Sequence, residues 1–258
     1  MTIIIEHFFI FFQISIISLF LSVSGFLLKK LIFLNHDIKN FEENGLFGFI
    51  FIGFIALTIN FFYPLNIFIN NIFFILIVIS AFLFDFFNQN TIRLIKRIFF
   101  ISLVGYILFI YSNVNTPDAL LYHLPYSKIV NEHKIVIGLS NIHFRFGHIS
   151  IFQYIASFFN NTLLKTNGLL LPIGVLTSFF FLYSYRLFKN EFKKDDSRLK
   201  SYFTFLILIF SLYSFNRYSG YGNDAQVHIY YFLGILYLLD FFIIRKSFLI
   251  FKKISLVF

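Results

Sequence analysis

Cysteine is absent from this chain, and so is tryptophan. Without cysteine there can be no disulfide, no thiolate metal site and no cysteine nucleophile. Without tryptophan, any aromatic belt at a membrane–water boundary has to be built from tyrosine alone. Charge is also scarce: 13% of the 258 residues are Asp, Glu, Lys or Arg, against about 25% in a soluble domain. That is too little polar surface to cover a water-soluble protein of this length. What fills the sequence instead is apolar. Hydrophobic residues make up 59% and mean hydropathy is +0.81. There are 44 phenylalanines and 15 tyrosines. Lipid must be the solvent for much of such a surface. The wealth of Phe, Ile, Asn, Lys and Tyr reads as the imprint of an AT-rich genome.

The expected fold is all-α, a polytopic transmembrane helix bundle. Apolar runs of spanning length occur at about Phe8–Leu28, Leu46–Phe62, Ile67–Phe86, Ile98–Tyr111, Gly168–Phe188, Tyr202–Phe215 and Ile229–Ile244. This amounts to about seven spans. The last stretch, Ser247–Phe258, is a partial eighth. The chain stops inside it, so residues 1–258 are expected to form one transmembrane domain, the N-terminal part of a longer protein. The first run lacks a basic flank before it and a small-residue cleavage site after it, and reads as a retained helix.

The net charge of +9 does not point to nucleic acid, because the basic residues lie between the apolar runs. Lys29/Lys30, Arg93/Lys96/Arg97, the cluster from Lys189 to Lys200, and Arg245/Lys246 all fall on one side if each run crosses once. Basic residues favour the cytoplasmic face. The N-terminus is then outside, the inner loops are basic and otherwise bland, and the segments 112–167 and 216–228 share the extracytoplasmic face. The asparagines Asn60, Asn70 and Asn71 are expected at headgroups or other helices, and Asp85 and Asp240, near helix ends followed by basic residues, to be capped or paired.

The large outer loop, 112–167, is the densest chemistry in the chain. Thr116-Pro117-Asp118 is a helix start, with Thr as cap, Pro in the first turn and Asp at the positive end of the dipole. Asp118 and Tyr122 are four apart and share a helix face. Pro125 should kink or end that helix. Leu120, Leu121 and Leu124 give an apolar side, which suits a short amphipathic helix on the membrane surface. Further along come Asn141, His143, Arg145 and His148, with turns at Gly138 and Gly147. A helix of about ten residues, Ile149–Phe159, follows, too short to span and suited to the interface or to re-entry.

Two readings stand for each of these groups. Asp118 is either a stabilising acid at a helix start or a general base whose pKa is raised by apolar surroundings. Arg145 either reaches up to headgroups or grips a phosphate bidentately. Tyr122 and His123 either anchor at the interface or assist the acid. The outer-loop histidines His123, His133, His143 and His148 match no zinc spacing. A divalent metal is possible but not indicated, and no cofactor is called for. In the second outer loop, NRYSGYGNDAQVH, the candidates are Arg217, Asn223 and Asp224; here too the bland reading is a turn with a helix cap. Two acids and two arginines on one face could handle a sugar and a phosphate. A single site requires Asp118 and Arg217 to lie within about 20 Å of each other, since ligand pockets are compact.

The stretch Asp118-Ala-Leu-Leu-Tyr122-His123-Leu-Pro125 after a membrane helix resembles the multi-pass, lipid-linked-sugar glycosyltransferases of the C superfamily, which carry an acid shortly before a Tyr in an outer loop. A closer likeness is to uncharacterised bacterial membrane proteins with the pattern D-x-L-x-Y-H-L-P followed by G-L-x-N-x-H-x-R-x-G, here Gly138 to Gly147. The likeness spans about 36 residues plus Gly222-Asn223-Asp224. In many of those enzymes the acid-bearing loop follows the first span; here it follows the fourth.

The resemblance implies a glycosyltransferase in a bacterial inner membrane, taking a sugar from a polyprenyl-phosphate donor. Asp118 and Asp224 would be catalytic. Tyr122, His123, Asn141, His143, Arg145, His148, Arg217 and Asn223 would bind substrate. Partners would be membrane lipids and the polyprenyl-phosphate-linked sugar. The rival expectations are a transporter or flippase of a lipid-linked solute, which would line a path through the spans with charge, and a surface-polysaccharide polymerase or ligase.

Overall fold

The computed structural model describes residues 2–32, 40–84, 86–88, 91–111, 118–147, 150–193, 198–219, 222 and 224–255. Helices account for nearly all of them, and no strand occurs among the described residues. The long elements are α1 (Thr2–Ile32), α2 (Phe41–Phe62), α3 (Ile67–Leu83), α4 (Thr91–Ile110), α7 (Leu171–Glu191), α8 (Arg198–Tyr213) and α10 (Asp224–Ser255). Between α4 and α7 lie two nine-residue helices, α5 (Leu124–Glu132) and α6 (Ile151–Phe159); α9 (Phe215–Ser219) is a single turn before α10.

Each of the seven apolar runs in the sequence coincides with one long helix. Four stretches are long and apolar enough to cross a membrane: Ile4–Ile32, Phe41–Phe62, Leu171–Glu191 and Asp224–Phe242; Ile67–Leu83 is apolar but shorter. The all-α class and the membrane assignment follow from these helices. Large apolar side chains such as Phe54, Phe62, Phe68, Phe82, Phe100 and Leu206 stand exposed on their outer faces, as a lipid-facing surface requires.

The bundle closes around α1, α2 and α7. The α1–α2 contact is the most extensive in the chain, and its cause is the absence of side chains at the crossing. A Cβ on Gly25 would collide with the Asn44 carbonyl oxygen, and one on Gly48 with the Leu21 carbonyl oxygen. Small residues let two backbones touch where the hydrophobic effect cannot drive them together. Phe41, Phe49, Phe179 and Phe180 then fill the space beside that crossing.

The polar residues near the helix ends behave differently from expectation. Helix α2 starts at Phe41, five residues before the apolar run, because Asn40 caps it by accepting from the Glu43 N–H. Glu42 and Glu43 therefore sit on the helix. Glu42 pairs with Arg186 at 2.7 Å and Arg97 at 3.9 Å, and Glu43 pairs with Lys29 at 3.0 Å and accepts from the Tyr237 hydroxyl at 2.7 Å. Arg186 also donates to the Asn40 side chain. The end of the bundle expected to be basic and bland is a network joining α1, α2, α4, α7 and α10. Asp240 is paired, with the buried Lys200 on α8. Asp85 lies outside the described residues.

At the other end, asparagines hold the large loop down. Asn70 donates to the carbonyls of Leu65, Ser157 and Asn160, at 2.8–2.9 Å. Asn60 donates to those of Val130 and His133 at 3.2 and 3.0 Å. Asn131 reaches Leu65 and Ser157 and accepts from Asn160. Asn60 and Asn70 thus face buried loop backbone instead of headgroups, because that backbone must be satisfied where water is scarce. Asn71 is half-buried and exchanges hydrogen bonds with Thr162. The result is that α5 and α6 are packed into the bundle. Seven of the nine residues of α6 are buried.

Candidate functional site

The segment carrying Asp118 is helical, as the spacing predicts, but its geometry is not that of a plain α-helix. Residues Ala119–His123 form a π turn, and the Leu124 N–H bonds back to the Ala119 carbonyl. One residue is added to the turn just before Pro125. Pro125 then occupies the first turn of α5, where its missing N–H costs nothing, and the helix runs on to Glu132. The expected break at Pro125 is therefore replaced by a continuation. Thr116 and Pro117 lie outside the described residues, so their capping role does too.

Asp118 is exposed and forms an ion pair and hydrogen bond with Arg145. The Arg145 guanidinium lies 5.4 Å from the Tyr122 ring centroid and 5.8 Å from that of Phe144, in the range of cation–π attraction. The preceding chain shapes this arm. Gly138 takes a left-handed conformation, φ 87°, and Asn141 closes the turn by donating its N–H to the Gly138 carbonyl. His143 stacks on Phe144, and its Nδ1 accepts from the Arg145 N–H at 3.3 Å. So His143 and Asn141 serve to place Arg145; Asn141 itself is exposed.

Behind the pair, Tyr122 and His123 are neighbours with ring centroids 4.1 Å apart. His123 is buried, and its Nδ1 lies 2.9 Å from Gln153 Nε2. Burial lowers its pKa below 6.5, against the opposing pull of Asp118 and Asp224. Burial also raises the Tyr122 phenol, assisted by the Asp118 and Asp224 charges and offset by Arg145. The effect of Asp224 on both groups matters, since it begins α10 more than a hundred residues away. It brings the second outer segment within electrostatic reach of the first. Deeper still, Tyr126 and Tyr154 share a hydroxyl hydrogen bond at 2.8 Å, and burial followed by that bond pushes the Tyr126 phenol well up.

The second segment is less of a loop than its composition suggests. Helix α10 begins at Asp224, which sits in its first turn, rather than at Ile229. Gln226 and His228 belong to that helix, and Gln226 is fully buried. Asp224 faces Arg217 at 4.0 Å with both side chains largely exposed, a contact of little energetic weight. His148 and Asn223 fall outside the described residues. Among the described residues no group of three or more His, Asp or Glu is placed to hold a metal ion.

Gln153 is the residue sequence reading missed. Its signal was present as Ser150-x-x-Gln153, a capping box. The Ser150 hydroxyl accepts from the Phe152 N–H, and the Gln153 Oε1 accepts from the Ser150 N–H at 2.9 Å. A helix start, read only as such, also supplies the contact to His123.

The chain is a multi-helix membrane protein that carries the Asp118–Arg145 group at the end of the bundle opposite the Glu42–Arg186 network. It belongs to the DUF8201 family, a domain of unknown function whose model matches residues 8–257. No curated protein and no solved structure matches it.

Proposed function

We propose that this protein is a glycosyltransferase-like enzyme of a bacterial inner membrane. Seven helices cross, the N-terminus is outside, and the Asp118 site lies on the extracytoplasmic face. The donor is a polyprenyl-phosphate sugar arriving from the bilayer, and the acceptor is a hydroxyl of the cell envelope. The observation that carries the reading is the Asp118–Arg145 pair against Tyr122 and His123, with the charge of Asp224 reaching the same two side chains.

In this reading the acceptor hydroxyl attacks the anomeric carbon. Its proton goes to Asp118, the bond from that carbon to the phosphate oxygen breaks, and the electron pair leaves on the polyprenyl phosphate. Arg145, helped by Arg217, neutralises the departing phosphate. Asp224 is the second carboxylate, sharing the base function. Because Arg145 also holds Asp118, a phosphate that draws the guanidinium away frees the carboxylate at the same moment. Binding the donor and arming the base become one event.

The test uses the full chain in liposomes with a radiolabelled polyprenyl-phosphate hexose and envelope acceptor. Transfer of label, lost by 100-fold or more in Asp118→Asn, supports the reading. Undiminished transfer in that variant removes Asp118 as base. Uptake of solute without a covalent product would make the protein a transporter, and a lengthened polymer would make it a polymerase.

A further inference from the structure

The amide of Gln153 is held in one orientation by the backbone. Its oxygen accepts the Ser150 N–H as half of the capping box, and an N–H can only be met by that oxygen. The other end, Nε2, therefore faces His123 with its hydrogens. At 2.9 Å from His123 Nδ1, it can only donate. A neutral imidazole that accepts at one nitrogen carries its proton on the other. A protonated His123 would set an N–H against an N–H.

The surroundings of the ring allow this state. From its own segment come Asp118 and the Tyr122 ring; from α10 comes Asp224; from α6 comes Gln153. The Ser127 hydroxyl on α5 bonds the His123 carbonyl, which leaves the ring alone. Two carboxylates favour an imidazolium, yet burial prevails and the pKa falls.

We infer that Gln153 is a positioning residue that holds His123 as the neutral tautomer with its proton on Nε2, and so occupies the lone pair through which His123 would act as a proton acceptor. The tautomer stands on the geometry alone. Its meaning for catalysis, that the base is left to a carboxylate, rests on the transferase reading.

Gln153→Glu separates the two jobs of this residue. Glu satisfies a capping box as well as Gln does, so the start of α6 survives, while its second oxygen, in the ionised carboxylate, can only accept. His123 must then carry a proton on Nδ1. The measurement is 15N NMR of histidine-labelled full-length protein in nanodiscs, with the His123 signal assigned from its loss in His123→Asn. The expected result is an unprotonated Nδ1 and protonated Nε2 in the wild type, titrating below 6.5, and a protonated Nδ1 titrating at least tenfold more readily in Gln153→Glu. A wild-type Nδ1–H tautomer, or a titration unchanged by Gln153→Glu, overturns the inference. These readouts do not require transfer, so a failed transferase assay would leave them standing. If transfer does occur, its pH profile in Gln153→Glu should move with the histidine; a profile that stays put denies His123 its place in the site.

Discussion

Glu42 and Arg186 meet at 2.7 Å although 144 positions separate them. The carboxylate is buried and also lies near Arg97. Removing one partner of such a pair leaves the others unmatched in a low-dielectric setting, which typically costs about 3–5 kcal/mol when the site is fully buried. Arg186 is partly exposed, so Glu42→Gln should cost about 2–3 kcal/mol by that scale. The check is a lowered Tm in detergent. Glu42→Gln with Arg186→Met together should recover part of the loss.

Asn70→Leu should release the outer loop without unfolding the bundle. The Asn70 amide serves three carbonyls at once, and each unmet buried group costs about 1–3 kcal/mol. Faster proteolysis within 124–160, with the long helices still protected, is the expected outcome. Equal cleavage of variant and wild type would show that the loop is held by other contacts.

Because the chain has no cysteine, single thiols can map its sidedness directly. Ile137 and Phe192 are both exposed and lie on opposite faces under the proposed topology. A cysteine at 137 should react with an impermeant maleimide on intact cells. One at 192 should react only after permeabilisation. The reverse pattern would invert the protein and move the Asp118 site to the cytoplasm.

Stability should fall on mild acidification, and His123 is one cause. Its folded pKa is lowered from 6.5, so the unfolded chain binds the proton more tightly. Protons then favour unfolding: stability declines as pH drops through 6.5 toward the lowered value, and this contribution levels off below it. In His123→Asn, the Tm should fall less between pH 7 and 5 than it does in the wild type.

Much of the architecture was legible because its causes are local. Seven apolar runs coincide with seven long helices, and the short helix expected to end at Phe159 does end there. Helix starts were misplaced at two points: the Asn40 cap carries α2 back over Glu42 and Glu43, and α10 begins at Asp224, five residues before the apolar run. Long-range pairing was out of reach. Nothing near Arg186 in the chain points to Glu42, and nothing near Asn70 points to Ser157. The Asp118–Arg145 contact was foreshadowed only as two charges in one loop. Gln153 was visible as a cap, but its second contact depends on how α6 packs against the turn at His123.

The π turn at Ala119–His123 has a geometric consequence for that turn. An extra residue offsets whatever precedes it by about 100° of rotation relative to α5. With that offset Asp118 stands nearly in line with Tyr126 and Val130 of α5, at about 100° per residue. An ordinary α turn would rotate the acid round the helix axis, away from where Arg145 meets it. Deleting Leu121 would make the helix regular and leave the carboxylate aimed elsewhere.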